Sequence, residues 1–266
     1  MVDLRFKAII WLHSLRLWRY RYSFINMALN STLWVTIFLL GALMFMPKEE
    51  LHVGMPLAFW GIAMWTIMSN SVWLIGAWTN FYISQGFVEE HMLVNISSAN
   101  VLVGRVIPGL SVSTVAIILI YFILSAITGG VTEIARHPAM LIIGLLLLTI
   151  MSLSYGLILA SISFRTGVPM VLLDLSNFII FIIGGIATPV SILPTPIRTI
   201  AIIIPYSHPA EIVRYGAIGF ETYLPLSFEM ILSILIALAM SLTALKMIRK
   251  AEEYVRKHGV KAIGRM

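Results

Sequence analysis

Six apolar stretches, each close to the length that crosses a bilayer, divide this chain of 266 residues, and its lysines and arginines gather on one side of them. A hydrocarbon core of about 30 Å takes roughly 20 apolar helical residues. Runs of that kind cover Phe24–Met46, Pro56–Trp78, Val106–Thr128, Ala139–Ile162, Val168–Ala187 and Leu226–Leu245. Inside hydrocarbon every backbone N–H and C=O must be paired internally, and these runs lack the alternation of barrel strands, so they read as helices. The charged fraction of 11% agrees, because soluble domains carry about 25%. The fold class expected is therefore an all-α membrane protein with six spans.

Basic residues set the orientation. Arg5, Lys7, Arg16, Arg19 and Arg21 precede the first span, and Lys246, Arg249, Lys250, Arg256, Lys257, Lys261 and Arg265 follow the last. Arg105 and Arg165 sit in the even-numbered loops, which leaves only Lys48, Arg136, Arg198 and Arg214 for the odd ones. Both termini are expected in the cytoplasm, with the chain a multi-pass protein of the cell membrane. The net charge of +6 is then an orientation signal, and no nucleic-acid partner is expected. No secretory signal is expected either: the 23 residues before the first span are basic, and that span is too long for a signal's apolar region.

Several chemistries have no residues to carry them. The chain has no cysteine, which removes disulfides, thiolate metal sites and cysteine nucleophiles. It has no phosphate loop, no G-x-S-x-G elbow and no H-E-x-x-H; the run Glu89-Glu90-His91 lacks the second histidine. Neither an enzyme nor a directly bound cofactor is expected, and no catalytic or metal residues are assigned.

The ends and loops are organised. Leu4, Ala8, Trp11, Leu15, Trp18 and Tyr22 recur at helical spacing, so residues 1–23 read as an amphipathic helix lying in the headgroup plane. The loop from Thr79 to Arg105 carries Glu89 and Glu90 on a short surface helix. After the fifth span, prolines punctuate two apolar pieces, Ile197–Ile204 and Ala210–Ile218, each too short to cross and too apolar for an ordinary loop. Half-helices re-entering the outer leaflet suit both facts. Glu211 and Arg214 stand three apart on the second piece, in register for an ion pair. Within the spans, Asp174 and Asn177 share a face, and Asn70 has the alternatives of a helix–helix hydrogen bond or a ligand contact. Glu229, near the outer end of the last span, is expected to reach the headgroups.

The segment Gly185-Ile-Ala-Thr-Pro189-Val-Ser191-Ile-Leu193-Pro194, followed by Ile203-Ile-Pro205-Tyr206-Ser-His-Pro and Arg214, resembles a motif of the type-2 ABC exporter permeases. That family includes daunorubicin-resistance-like and polysaccharide-export permeases. Gly86-Phe-Val-Glu89-Glu90 through Gly104-Arg105 is similar to the family's Gly-Thr-Leu-Glu segment and its Gly-Lys, although Asn95-Ile96 stands where Ser-Pro is usual.

The resemblance implies one permease domain over residues 1–266: an interfacial helix (1–23), a six-span bundle (24–245) and a basic tail (246–266). It also implies a dimer of permeases working with two separate ATPase subunits, which supply ATP. Glu89, Glu90 and Arg165 would couple to the ATPase. Asn70, Asp174 and Asn177 would lie in view of the translocation path between the two copies. Gly185, Pro189, Pro194, Pro205, Glu211 and Arg214 would form the re-entrant outer motif. The alternative is an ATP-independent channel or scaffold.

Overall fold

A computed structural model describes residues 4–44, 47, 51–128, 135–166 and 170–259, and among them the secondary structure is helical, with no strand. The helices are α1 (Leu4–Arg19), α2 (Arg21–Met44), α3 (Leu51–Ser84), α4 (Phe87–Leu93), α5 (Ser98–Thr128), α6 (Pro138–Thr166), α7 (Met170–Ile183), α8 (Thr195–Ile203), α9 (Ser207–Ile218) and α10 (Leu226–His258). A 3₁₀ turn at Val190–Ile192 precedes α8.

Five of these helices, α2, α3, α5, α6 and α10, are long and apolar enough to cross a membrane. The fifth expected span, Val168–Ala187, appears instead as α7, of 14 residues. At 1.5 Å per residue it runs about 21 Å, short of the roughly 30 Å hydrocarbon core. Its C-terminal end is set by Gly184 and Gly185, where the helix gives way to bends. Residues 167–169, at its other end, lie outside those described. The loop expected from Thr79 to Arg105 is shorter than its sequence suggests, because α3 continues to Ser84 and α5 begins at Ser98. The last span likewise does not stop at Leu245. It continues as helix to His258, so residues 246–258 of the expected tail are an extension of α10.

α6 packs against α3, α9 and α10 at the centre, while α5 carries α1 and α2 on its flank. Two apolar clusters result. One joins Met64, Met68, Leu148, Met151, Tyr206, Ile212 and Val213 from α3, α6 and the α8–α9 region. The other, at the basic end, joins Ile9, Ile75, Tyr82, Val88, Leu102, Phe164 and Ile248. Elsewhere the long helices expose apolar side chains such as Leu33, Phe122, Leu146 and Leu238. An exposed apolar helix surface of this extent belongs in lipid.

The amphipathic reading of α1 acquires a direction here. Leu4, Trp11, Leu15 and Trp18 are exposed, with Tyr22 at the start of α2. The protein-facing side is instead Ile9 and Phe6, seated against Gly104 of α5: a Cβ there would stand 2.8 Å from Ile9 Cγ2 and 3.5 Å from Phe6 Cε2. The tryptophan stripe therefore faces away from the bundle.

Candidate functional site

At the basic end, α4 is a seven-residue helix whose one buried residue is Val88. Glu89 and Glu90 are exposed on it, and Leu93 at its C-terminus is 84% exposed. An acidic pair beside a bare leucine is a surface that a partner can grip through charge and apolar contact together. The handle is fastened at its base. Arg5 of α1 donates from Nη1 to the carbonyls of Asn95 at 3.0 Å and Val94 at 3.3 Å, just past the end of α4. Asn95 itself has φ +53°, a left-handed conformation that asparagine tolerates better than most residues. Glu252 of α10 then accepts from the Ser98 backbone N–H at 2.5 Å and from the Ser97 hydroxyl at 3.2 Å, which caps the start of α5.

Trp78 of α3 stitches the same region together. The Arg105 guanidinium carbon lies 3.4 Å from its ring centroid and that of Arg16 lies 5.9 Å away. His13 of α1 sits near these cations. Burial, then the charges of Arg105, Arg16 and His91, lower its pKa to about 4.

Arg165 stands apart from this handle. Its guanidinium lies 5.6 Å from the Tyr254 ring centroid on α10. Tyr254 and Glu252 are two residues apart, so they face nearly opposite sides of that helix. Arg165 thus packs on the α10 face turned away from the α4–α5 junction.

Among the mid-span polar residues, the Asn70 side-chain N–H donates to the Ser113 hydroxyl at 2.8 Å, bridging α3 and α5. Asp174 is half-buried on α7. Asn177 is 4% exposed, and neither its amide oxygen nor its amide nitrogen has a hydrogen-bond partner among the described residues. A cavity of about 260 Å³ opens between α2, α3 and α7, lined by Trp34, Val35, Ile62, Trp65, Phe178 and Phe181. Its wall includes the Trp65–Phe181 pair, with centroids 5.4 Å apart.

At the opposite end, the proline-rich segment forms a buried polar clip. Gly185 has φ +73°, and a Cβ there would stand 3.1 Å from Val190 Cγ2 and 3.2 Å from Ser207 Cβ. Pro189 precedes the 3₁₀ turn and Pro194 precedes α8, while Pro205 lies in the turn between α8 and α9. The Glu211 carboxylate accepts from Arg214 Nη1 at 3.2 Å, from the Val190 N–H at 3.1 Å and from the Tyr223 N–H at 3.1 Å. Arg214 Nη2 donates to the Ile186 carbonyl at 2.5 Å. The ion pair expected from the spacing is therefore present, and it ties the exit of α7 to the approach of α10.

Glu229 does not reach the headgroups: it is 2% exposed. One of its oxygens lies 2.7 Å from His208 Nδ1, and the other accepts from the Leu224 N–H at 3.3 Å. His208 Nε2 faces the Ile202 carbonyl at 3.1 Å. A paired carboxylate costs far less to bury than a lone one, which is why the helix turns Glu229 inward. The His208–Glu229 and Glu252–Ser98 contacts had no signal in the sequence, because each joins residues far apart in the chain.

With this geometry in hand, comparison with known families shows a match: the family model described as ABC-2 type transporter covers residues 5–218. Comparison with curated proteins gives no match.

Proposed function

The chain belongs to the ABC-2 type transporter membrane family, and from that premise we propose that it is the permease subunit of an ATP-driven exporter. Two copies form the translocation path, and two separately encoded ATPase subunits bind their cytoplasmic faces. The termini lie in the cytoplasm, α7 with its flanking residues completes a sixth span, and α8 and α9 re-enter the outer leaflet of the cell membrane. The whole chain is one permease domain.

The observation that carries this reading is the handle at α4. Exposed Glu89 and Glu90 sit beside bare Leu93, and the helix is fastened to α1 through Arg5 and followed by the start of α5, which Glu252 caps. A force applied to α4 is passed to α1, α5 and α10 together. The permease performs no bond chemistry. ATP drives transport only if the two states of the path differ in affinity for the closed ATPase dimer. The path lies along α3 and α7, supported by the unpaired amide of Asn177 and the half-buried carboxylate of Asp174. Asn70 borders it while bridging to α5.

The test is copurification with an ATPase encoded beside this chain. The wild-type permease retains the ATPase and stimulates its turnover, and Glu89→Lys/Glu90→Lys loses both. Full retention of the ATPase by that variant would overturn the coupling assignment. Substrate flux in vesicles without ATP or ATPase would favour the channel reading instead.

A further inference from the structure

A cavity of about 200 Å³ lies between the ends of α6 and α10, lined by Ser161, Ile162, Arg165, Met247 and Lys250. Two cations meet there. Lys250 and Tyr254 are one turn apart on α10, and the Arg165 guanidinium lies 5.6 Å from the Tyr254 ring centroid, which brings it to the Lys250 side of the helix. Arg165 and Lys250 are both exposed, and neither forms an ion pair among the described residues. Glu253, three residues from Lys250 on α10, is exposed and forms no ion pair among the described residues either.

The depth of the cavity matters as much as its charge. Arg165 is the penultimate residue of α6. On α10, Leu242 and Leu245 are exposed immediately before the cations begin at Lys246. Lys250 stands four residues further on, about 6 Å along the axis. The two cations therefore sit where hydrocarbon gives way to headgroups, and Ile162 and Met247 supply an apolar wall on the same cavity. A soluble anion has no use for that wall. A headgroup phosphate with an acyl chain beside it uses both sides.

We infer that this cavity binds the phosphodiester of an anionic phospholipid from the leaflet at the basic end of the bundle, with Arg165 and Lys250 holding the phosphate. The inference goes beyond transport and does not depend on the ATPase. Bound there, the lipid joins the end of α6 to α10.

The full-length chain is placed in nanodiscs containing phosphatidylglycerol in phosphatidylcholine, and retained phosphatidylglycerol is measured by native mass spectrometry. Removing two surface cations weakens anionic-lipid binding on the order of 30-fold. Arg165→Gln/Lys250→Gln is expected to lose that much, and Arg249→Gln/Lys257→Gln, with the same change in net charge, far less. Arg165→Lys/Lys250→Arg retains binding. A photoactivatable phosphatidylglycerol crosslinks wild-type peptides from the ends of α6 and α10, a readout that needs no variant.

Equal loss in the two glutamine variants would reduce the effect to diffuse charge and overturn the site. Displacement of the lipid by inorganic phosphate would make it a soluble-anion site. Unchanged lipid retention with lost ATPase copurification in Arg165→Gln/Lys250→Gln would make it a protein interface. Crosslinks confined to other helices would overturn the site as well.

Discussion

The carboxylate of Glu252, near the end of α10, holds the backbone N–H of Ser98 at 2.5 Å, the first residue of α5. An acidic side chain at a helix start satisfies an orphan donor and favourably meets the positive end of the helix dipole. Here the acid comes from a different helix, so the cap is also a joint. Glu252→Ala is expected to lower stability by about 0.5–2 kcal/mol, read as a lower melting temperature in detergent. Glu252→Gln, which keeps an acceptor but loses the charge, should fall between that variant and the wild type. If the coupling proposed through α4 holds, Glu252→Ala also reduces ATP-dependent transport while the ATPase stays bound.

The Glu211–Arg214 pair is fully buried and bonded to three backbone groups, those of Ile186, Val190 and Tyr223. Removing one partner leaves the other charge buried without its counterion, a loss of roughly 3–5 kcal/mol. Arg214→Met and Glu211→Gln are each expected to destabilise the protein strongly. The double variant should cost less than the two single losses combined, with a coupling of about 0.5–3 kcal/mol. Denaturation of all four proteins in a double-mutant cycle checks this. Strict additivity would mean that the pair contributes nothing as a pair.

His13 makes the docking of α1 sensitive to acid. Its pKa in the folded protein is lowered from 6.5 to about 4, so between those values the unfolded chain binds the proton more readily than the folded one. Stability is complete above 6.5, declines as pH falls below it and reaches its floor under about 4. His13→Gln removes that dependence. Melting temperatures of the two proteins should diverge from neutral pH downward and run parallel below about 4.

Asn177 separates stability from transport. A buried amide without partners costs about 1–3 kcal/mol, so Asn177→Leu is expected to melt at or above the wild-type temperature. If the amide serves the path, the same variant loses ATP-dependent transport. Reduced stability with unchanged transport would make Asn177 a packing residue whose role lies in the fold alone.

The sequence was informative where lipid is the solvent. A run of apolar residues must become a helix in hydrocarbon, so α2, α3, α5, α6 and α10 were legible from length and composition. Local spacing carried the Glu211–Arg214 pair, since residues three apart on a helix meet. The stripe Leu4, Trp11, Leu15 and Trp18 was legible as amphipathic, but nothing local told which face met the protein. That was decided by Gly104, the bare position on α5 that admits Ile9.

Two departures from the sequence reading have a common source. Val168–Ala187 is a largely apolar run, yet Gly184 and Gly185 end α7 before that run is complete. Hydropathy sees the side chains and not the backbone that glycine releases. Glu229 looked like a headgroup contact because a carboxylate near a helix end usually seeks water. Its partner His208 is 21 residues away in the chain, beyond any periodic signal. The candidate site was half legible for the same reason: the exposed acids of α4 are local, and the joints that fasten them are not.

α10 is one unbroken helix from Leu226 to His258. Glu229 and Glu252 are therefore fixed to a single stiff rod, about 35 Å apart along its axis. The carboxylate that pairs with His208 at one end and the one that caps α5 at the basic end cannot slide or turn independently. A tilt of that rod which frees Ser98 must also drag on His208, so the two faces of the membrane are geared through one shaft.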